Sequence, residues 1–181
     1  HGESGAGDLQ PHRARIGHLR EAFAEANERF VARLRGVDDD AARRVPEGGG
    51  WSAAQIGWHV AKVSTRFAGV MSGELPGAQP VAADFRERPW FEIAAAIGDR
   101  LETPPSFQPP AGVTRMEAIA ALEASGTKMA HALDVVTPER GAGLCISSPI
   151  VGGPINLYQI CEWATAHVIR HNKQAKQVLG R

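Results

Sequence analysis

Apolar residues recur every three or four positions in four separate stretches of the chain, and each stretch predicts an amphipathic helix. The first stretch begins near Pro11 and ends at Gly36. Its apolar face consists of Ile16, Leu19, Phe23, Ala26, Phe30 and Leu34. Pro11 suits the first turn of such a helix, and the Arg and Glu residues between the apolar positions form its solvated side.

Helix-capping pairs precede the other three stretches. Each pair places Gln or Glu three residues after a Ser, Thr or Asn, so that two backbone N–H groups at the helix start are satisfied reciprocally. The pairs are Ser52 with Gln55, Thr114 with Glu117, and Asn156 with Gln159. The apolar faces that follow are Ile56, Val60, Val63, Phe67 and Val70; Ile119, Leu122, Gly126, Met129, Leu133 and Val136; and Leu157, Ile160, Ala164, His167, His171 and Val178. We expect the second helix to end at Gly73 and the third before Pro138.

The connections between the helices differ in length. Residues 73–114 hold most of the prolines, which predicts a long crossover between the second and third helices. Pro89 opens a short predicted helix within it, and the residues expected to lie against the bundle are Trp90, Ile93, Ala94, Ile97 and Leu101. Residues 141–154 are glycine-rich and apolar, which predicts a packed loop. With no convincing strand, residues 1–181 are predicted to form one all-α domain, an antiparallel four-helix bundle.

Net charge and hydropathy exclude two classes of binding partner, nucleic acid and membrane. Twenty basic and twenty acidic residues cancel, so the chain lacks the basic excess of a nucleic-acid-binding protein. No apolar run reaches the roughly 20 residues that span a bilayer, and no signal-peptide pattern opens the chain. We therefore expect a cytoplasmic protein that binds neither nucleic acid nor membrane. Residues 1–8 are expected to be flexible or left over from an expression vector, and Cys145 and Cys161 to be reduced and structural.

Two histidines on the last predicted helix suggest a metal site. His167 and His171 lie four residues apart, so their imidazoles differ by about 40° around the helix and can converge on one ion. This spacing is common by chance, but both residues replace apolar ones on the buried face, where each ring nitrogen needs a partner. Neutral core histidines, bonded to the backbone or to each other, are the alternative interpretation.

His59 favours the metal interpretation, because it lies at the edge of the apolar face of the second helix. Three inward histidines on two helices make a ligand set that leaves positions open for water or substrate, as in catalytic sites. The remaining histidines within the predicted helices, His12, His18 and His131, show no such convergence and are expected at the surface or its boundary.

At these residues the chain resembles the DinB-like superfamily, particularly the branch in which a Trp-Ser cap opens the second helix. The matching pieces are residues 51–52 with His59 seven positions after the serine, residues 153–157 before the last helix, and His167 with His171. The resemblance spans nearly the whole chain. It implies an up-up-down-down bundle with a long crossover, one divalent metal ion held by those three histidines, and frequently a homodimer.

The resemblance leaves the reaction open. Characterised members of the superfamily include mycothiol- and bacillithiol-dependent S-transferases and a maleylpyruvate isomerase. Many members carry a glutamate directly after the first histidine of the last helix, whereas this chain has Val168. That substitution removes a carboxylate base at this position and excludes an H-E-x-x-H metalloprotease, which needs the glutamate to activate water.

Two classes of function remain. In the first, the metal lowers the pKa of a bound water or low-molecular-weight thiol, and the protein is an S-transferase or hydrolase of a small molecule. Trp163, one turn before His167, would line the pocket, and Arg66, seven residues after His59, would meet an anionic substrate group. The alternative interpretations are that Trp163 only packs in the core and that Arg66 is a solvated residue at the rim.

The second class is a non-catalytic metal-binding or stress-associated bundle, in which the ion joins two helices and stabilises the fold. Imidazole ligands suit zinc, nickel, copper and iron, so the sequence does not select the metal, although zinc and nickel are expected first.

Overall fold

The computed structural model describes residues 4–97 and 103–180, and these ranges are mostly helical. The helices are α1 (Ser4–Arg35), α2 (Asp39–Arg43), α3 (Ala53–Ser72), α4 (Trp90–Ala96), α5 (Arg115–Val135), α6 (Pro138–Gly143) and α7 (Leu157–Leu179). The strands are β1 (Gln79–Pro80), β2 (Leu144–Ile146) and β3 (Ile155–Asn156), and Pro105–Phe107 form one turn of 3₁₀-helix. The expectations for residues 1–3 and for Leu101 lie outside the described residues.

The three capping pairs predicted from the sequence are confirmed. In each, the side chain of Ser52, Thr114 or Asn156 accepts a hydrogen bond from the backbone N–H three residues on. The side-chain oxygen of the Gln or Glu at that position in turn accepts a hydrogen bond from the backbone N–H of the cap residue. Gly73 ends α3 in the left-handed conformation, with φ of 86°, which costs glycine little. Local capping chemistry therefore defines the start of three of the four long helices.

The long helices pack so that α3 contacts both α5 and α7, and α1 contacts the same two helices from the other side. The predicted apolar face of α1 is buried at every position from Ile16 to Leu34. Most predicted positions of the other three faces are also buried, whereas Phe67, Gly126, His171 and Val178 are partly exposed. The core of the domain lies between these four helices.

Cross-helix contacts give the directions of the helices. Arg15, in the first half of α1, binds Glu162 near the start of α7, and Arg33 near the end of α1 binds Asn172 in the second half of α7. Helices α1 and α7 are therefore parallel. Helix α5 runs opposite to α1, because Arg20 binds Asp134 whereas Arg35 binds Glu123.

Helices α3 and α5 are also parallel. Gly57 in the first turns of α3 lies against Leu122, and Glu74, just beyond α3, lies 3.5 Å from His131 further along α5. The chain order is therefore up-down-down-up, and the expected up-up-down-down order is wrong. An up-up-down-down bundle needs two long crossovers, whereas this chain has its one long connection, 73–114, between its one pair of consecutive parallel helices.

Short elements were missed by the sequence analysis. The expectation of no strand is wrong, since β1 pairs with β2 and β2 with β3, both antiparallel. Each strand has only two or three residues, too few to show an alternating pattern. Pro11 lies inside α1 rather than in its first turn, because the helix begins at Ser4. Pro138, expected only to stop the third helix, also begins α6 after the Thr137 cap.

The crossover is tied to the segment before α7. Helix α4 begins after Pro89, as predicted, and its Ile93 is fully buried. The Arg88 guanidinium donates to the carbonyl oxygens of Val151 and Gly152, while Gln159 donates to the Arg88 carbonyl at 2.7 Å. Val151 is buried, which confirms that this loop packs against the domain. Within the described ranges, every helix is too short or too polar to cross a lipid bilayer.

Candidate metal centre

His59 on α3 and His167 and His171 on α7 come together between the two helices. One ring nitrogen of each lies within 4.8 Å of the others, and His59 and His167 are each only 5% exposed. The ring centroids are 4.4 Å apart for His167 and His171, and 5.3 and 5.1 Å from the His59 ring to these two. We call these three residues the histidine cluster, and its members are the ones that the sequence predicted.

Hydrogen bonds orient two of the three imidazoles. The Nδ1–H of His59 donates to the Phe107 carbonyl oxygen at 2.8 Å, and the Nδ1–H of His171 donates to Oε1 of Gln174 at 2.7 Å. A carbonyl oxygen only accepts, so Nδ1 carries the proton in both rings and Nε2 keeps a lone pair. Metal-bound histidines usually donate their second ring nitrogen to an oxygen in this way.

His167 lacks such an orienting bond. Its Nδ1 is buried and has no hydrogen-bond partner among the described residues. Instead, its ring stacks on the Trp163 indole, with centroids 4.7 Å apart and planes 17° apart. A buried nitrogen without a partner costs about 1–3 kcal/mol, and the described residues leave this one unsatisfied.

Burial keeps the histidine cluster neutral. It lowers the pKa of His59, lowers that of His167 far below the usual value, and lowers that of His171 to about 4. Repulsion between the histidines adds to the effect on His167 and His171, and the charge of Arg170 lowers the pKa of His171 further. Neutral imidazoles with free lone pairs are the form that binds a metal ion.

The histidine cluster opens onto a cavity of about 590 Å³ between α3, α7 and the crossover. Its apolar walls are Val63, Phe67, Ile97, Phe107, Ile150 and Trp163. Trp51 also lines the cavity, and its ring lies 4.9 Å from that of His59. The polar side chains of α7 that line the cavity besides the histidines are Arg170, Lys173, Gln174 and Gln177.

The structure brings only one of the two expected substrate contacts to this cavity. Trp163 lines it, whereas Arg66 is exposed and lies outside it. The cavity extends from His59 toward Val63 and Phe67, and successive i+4 steps rotate about 40° to one side of the helix. Arg66 is rotated about 20° to the other side and so misses it.

Two cations that the sequence analysis did not single out, Arg170 and Lys173, line the cavity instead. Their positions in the sequence could have indicated this, since both follow His167 within two turns of the same helix. Gln174 and the Phe107 carbonyl were missed because neither shows a pattern that distinguishes it from ordinary helix and loop residues.

The other candidate groups stay apart from the histidine cluster, as expected. His18 and His131 are exposed, and His12 is partly buried with its Nδ1 2.6 Å from the Tyr158 hydroxyl. Cys161 is fully buried, and burial raises the pKa of its thiol to about 12. Val168 is likewise buried and does not line the cavity.

A second polar cluster lies where α7 meets α1 and the crossover. Arg15 binds Glu87 through two hydrogen bonds of 2.6 and 2.8 Å and Glu162 at 3.1 Å, and its guanidinium lies 4.5 Å from the centre of the Tyr158 ring. Burial raises the pKa of Glu162, while the bond from Arg15 lowers that of Glu87. We call these residues, with His12, the Arg15 cluster.

Comparison with known families agrees with this geometry. The family model of the DinB superfamily matches residues 22–175, which is most of the chain and includes all three members of the histidine cluster. This chain belongs to the DinB superfamily. A search of curated proteins found no match.

The cluster fits a divalent metal ion on its donor chemistry. In this DinB-superfamily chain three neutral imidazoles converge, two of them have Nδ1 committed to oxygen acceptors, and the third has a buried nitrogen with no partner in the described part of the chain. Imidazole is a good ligand for zinc, nickel and iron. His59, His167 and His171 are therefore the residues that could hold the ion.

Proposed function

We propose that the protein is a divalent-metal-dependent enzyme that acts on a small molecule by S-transfer or hydrolysis. The observation behind the proposal is a three-histidine set that opens onto a 590 Å³ cavity. Within the described ranges the set contains no fourth His, Cys, Asp or Glu. Three protein ligands leave room for a reactant, as in catalytic zinc sites.

The protein groups around the site suit this role. When bound there, a divalent metal supplies Lewis acidity that lowers the pKa of a coordinated water or low-molecular-weight thiol. The apolar walls limit access of bulk water, and Trp163 holds the His167 ring by stacking. Cys161 is excluded as the nucleophile by its burial and raised pKa.

Proton transfer in such a reaction does not use a protein carboxylate in the described lining. Position 168 is a buried valine, and the described lining contains neither Asp nor Glu. We propose that the nucleophile's proton passes to solvent or to the leaving group. A low-molecular-weight thiol fits this arrangement well, because its pKa is already much lower than that of water.

A non-catalytic metal-binding bundle is the second candidate, and one observation favours it. The ligands come from two helices, α3 and α7, so an ion there would clip them together and add its binding free energy to folding. Zinc and nickel are the metals that we propose first, with iron also suited to imidazole ligands.

The test begins with elemental analysis of protein purified without an affinity metal. We expect one divalent metal ion per chain. A folded protein that stays metal-free after incubation with zinc or nickel well above micromolar concentration would contradict both candidates.

The metal-loaded protein is then screened with mycothiol, bacillithiol and glutathione against small electrophiles, and with a panel of esters and amides. His171→Ala is the matched control for background reaction. Turnover that needs the metal supports the enzyme. If the metal raises the melting temperature of the protein and neither panel shows turnover, the result supports the non-catalytic metal-binding bundle.

We also propose, from the family resemblance, that the protein is a homodimer, and from the sequence that it acts in the cytoplasm. Light scattering of the purified protein tests the first proposal, and localisation of a tagged chain in its host tests the second. Neither affects the ligand set, which lies within one chain.

A further inference from the structure

Four of the eight residues 103–110 of the crossover are prolines, and we call this stretch the proline-rich segment. Proline has no backbone N–H, so the segment can be attached to its neighbours chiefly through its carbonyl oxygens. Its 3₁₀ turn is closed by the Phe107 N–H, which donates to the Pro104 carbonyl oxygen at 2.9 Å. The Phe107 ring packs against the core and lines the cavity of the histidine cluster.

Two side chains of α3 bind carbonyl oxygens of the proline-rich segment. The Nδ1–H of His59 donates to Phe107 at 2.8 Å, and Nε2 of Gln55 donates to Pro110 at 3.1 Å. Gln55 and His59 are four residues apart, so they lie on the same side of α3, one turn from each other. The segment is therefore attached to α3 at two points, and one of the two donors belongs to the histidine cluster.

Gln55 uses both ends of its amide. Its Oε1 accepts the backbone N–H of Ser52 at 2.9 Å in the cap of α3, while its Nε2 binds Pro110. The cap bond restricts the amide, so the donor is already oriented toward the segment. A glutamate at this position would form the same cap and would have no donor for the segment.

We infer that Gln55 is a positioning residue of the metal site: it holds the proline-rich segment against α3, and the segment in turn holds His59 in the orientation that leaves Nε2 for the metal. This inference rests on the metal site of the proposed function. The Nδ1–H of a metal-bound imidazole is a stronger donor than that of a free one. Metal binding and attachment of the segment therefore favour each other, and linkage requires the two effects to be equal.

Exchange of backbone amide protons with water, measured by NMR, tests the inference. The Phe107 N–H is bonded within the segment and should exchange when the segment detaches from α3. The Phe85 N–H is the internal control, because it closes a similar turn in the same crossover, on the Ala82 carbonyl at 3.0 Å. We expect zinc to slow exchange about tenfold at Phe107, the low end for hydrogen-bond partners of a ligand, and less than about twofold at Phe85.

A single substitution separates attachment of the segment from capping of the helix. Gln55→Glu keeps the acceptor that caps α3 and loses the donor to Pro110. In metal-free protein it should speed exchange at Phe107 about threefold, as expected for one partly exposed hydrogen bond, with little change in melting temperature. Glu117→Gln is the matched control, because Glu117 has the same place in the cap of α5, where its carboxylate accepts the Thr114 N–H and donates nothing.

The ring proton of His59 gives a second measurement, which a purely structural role of Gln55 in the helix cap would leave unchanged. The His59 Nδ1–H is protected from exchange while it is bonded to Phe107. Gln55→Glu should speed exchange of this ring proton together with that of the Phe107 amide. Glu117→Gln should leave both rates as they are in the unsubstituted protein.

The outcomes distinguish this inference from the proposed function. If the protein takes up zinc but exchange slows equally at Phe107 and Phe85, the segment is not coupled to the site, and the inference fails while the metal site stands. Unchanged exchange at Phe107 and at the His59 ring in Gln55→Glu also overturns it, because Gln55 then holds nothing in place. A protein that takes up no metal contradicts the proposed function and this inference together.

Discussion

Helix α7 contributes polar side chains to two clusters, and the two differ in how completely their groups are satisfied within the chain. In the Arg15 cluster, a guanidinium meets two carboxylates at 2.6–3.1 Å and an aromatic face at 4.5 Å. In the histidine cluster, three neutral rings lie close together, and one buried nitrogen has no partner within residues 4–97 and 103–180. The first cluster has opposite charges bonded to one another; the second has neutral imidazoles that line a cavity.

This difference separates a structural polar cluster from a binding one. Buried polar groups are normally hydrogen-bonded, and a cluster that is complete within the chain has no need of a ligand. A cluster left incomplete costs folding free energy, which an evolved protein tolerates where a bound group completes it. By this criterion the Arg15 cluster joins α1, the crossover and α7, and the histidine cluster is the candidate binding site.

The largest expected effect comes from removing one ligand of the histidine cluster. His171→Ala lowers the affinity for zinc by more than about 100-fold, because a lost ligand exceeds the 10–100-fold typical of a lost hydrogen-bond partner of a ligand. Competition with a chromophoric chelator measures this affinity. His131→Ala is the control, since His131 is exposed and contacts Glu74 outside the cluster. Equal losses in both variants would refute the ligand assignment.

Acidification should destabilise the metal-free protein through the same cluster. Burial lowers the pKa of His171 to about 4, while the unfolded chain keeps a histidine pKa near 6.5. Between pH 6.5 and 4 the unfolded chain binds more protons than the folded protein. The free energy of unfolding is therefore unaffected by this histidine above pH 6.5 and decreases as the pH falls toward 4. The loss is up to about 1.4 kcal/mol per pH unit for each such histidine.

Urea denaturation of chelator-treated protein at pH 7.5, 6 and 5 measures this loss. His171→Ala should reduce the pH dependence of the free energy of unfolding, and His131→Ala should leave it unchanged. If His171→Ala keeps the slope of the unsubstituted protein, His171 is not held neutral by burial.

The Arg15 cluster should behave in the opposite way, with an effect on stability and none on the metal. Arg15→Met leaves Glu87 and Glu162 near each other without their cation, which should cost about 2 kcal/mol because Arg15 and Glu162 are partly buried. Zinc affinity should change by less than about threefold, since the cluster shares no residue with the ligand set.

Arg29→Met is the matched control for that substitution. Its partner Glu25 lies one turn away on the same helix, both side chains are more than 60% exposed, and such pairs contribute less than about 0.5 kcal/mol. Urea denaturation of both variants decides the comparison. A large loss of zinc affinity in Arg15→Met would show that the two clusters are coupled.

The parts of this molecule that could be predicted from sequence are those fixed by local chemistry. The capping pairs at Ser52, Thr114 and Asn156 act within four residues, and the apolar faces repeat over several turns, so both leave a readable pattern. The three histidines could be found because they interrupt or border such faces. The direction of the helices could not, because it depends on contacts such as Arg33 with Asn172 that join distant parts of the chain.

The same distinction explains the missed site residues. Arg15 precedes the predicted apolar face of its helix and was not singled out, and only packing of the crossover brings Glu87 to it. Arg66 has the azimuth expected for a neighbour of His59, but the direction in which the cavity extends is set by the crossover and α7. A residue's role at a site formed by several elements therefore needs the packed structure.

Gln174 gives the smallest effect and sharpens the comparison within the site. Its Oε1 accepts the Nδ1–H of His171 at 2.7 Å, which leaves Nε2 for the metal. Gln174→Ala should lower zinc affinity about tenfold, at the low end for such partners, since water can replace the lost acceptor on this partly exposed turn. Gln174→Glu keeps an acceptor and should match or exceed the unsubstituted affinity. Gln177→Ala is the control, because Gln177 lines the same cavity one turn further on. Equal affinities for Gln174→Ala and Gln177→Ala would show that the hydrogen bond does not orient the ligand.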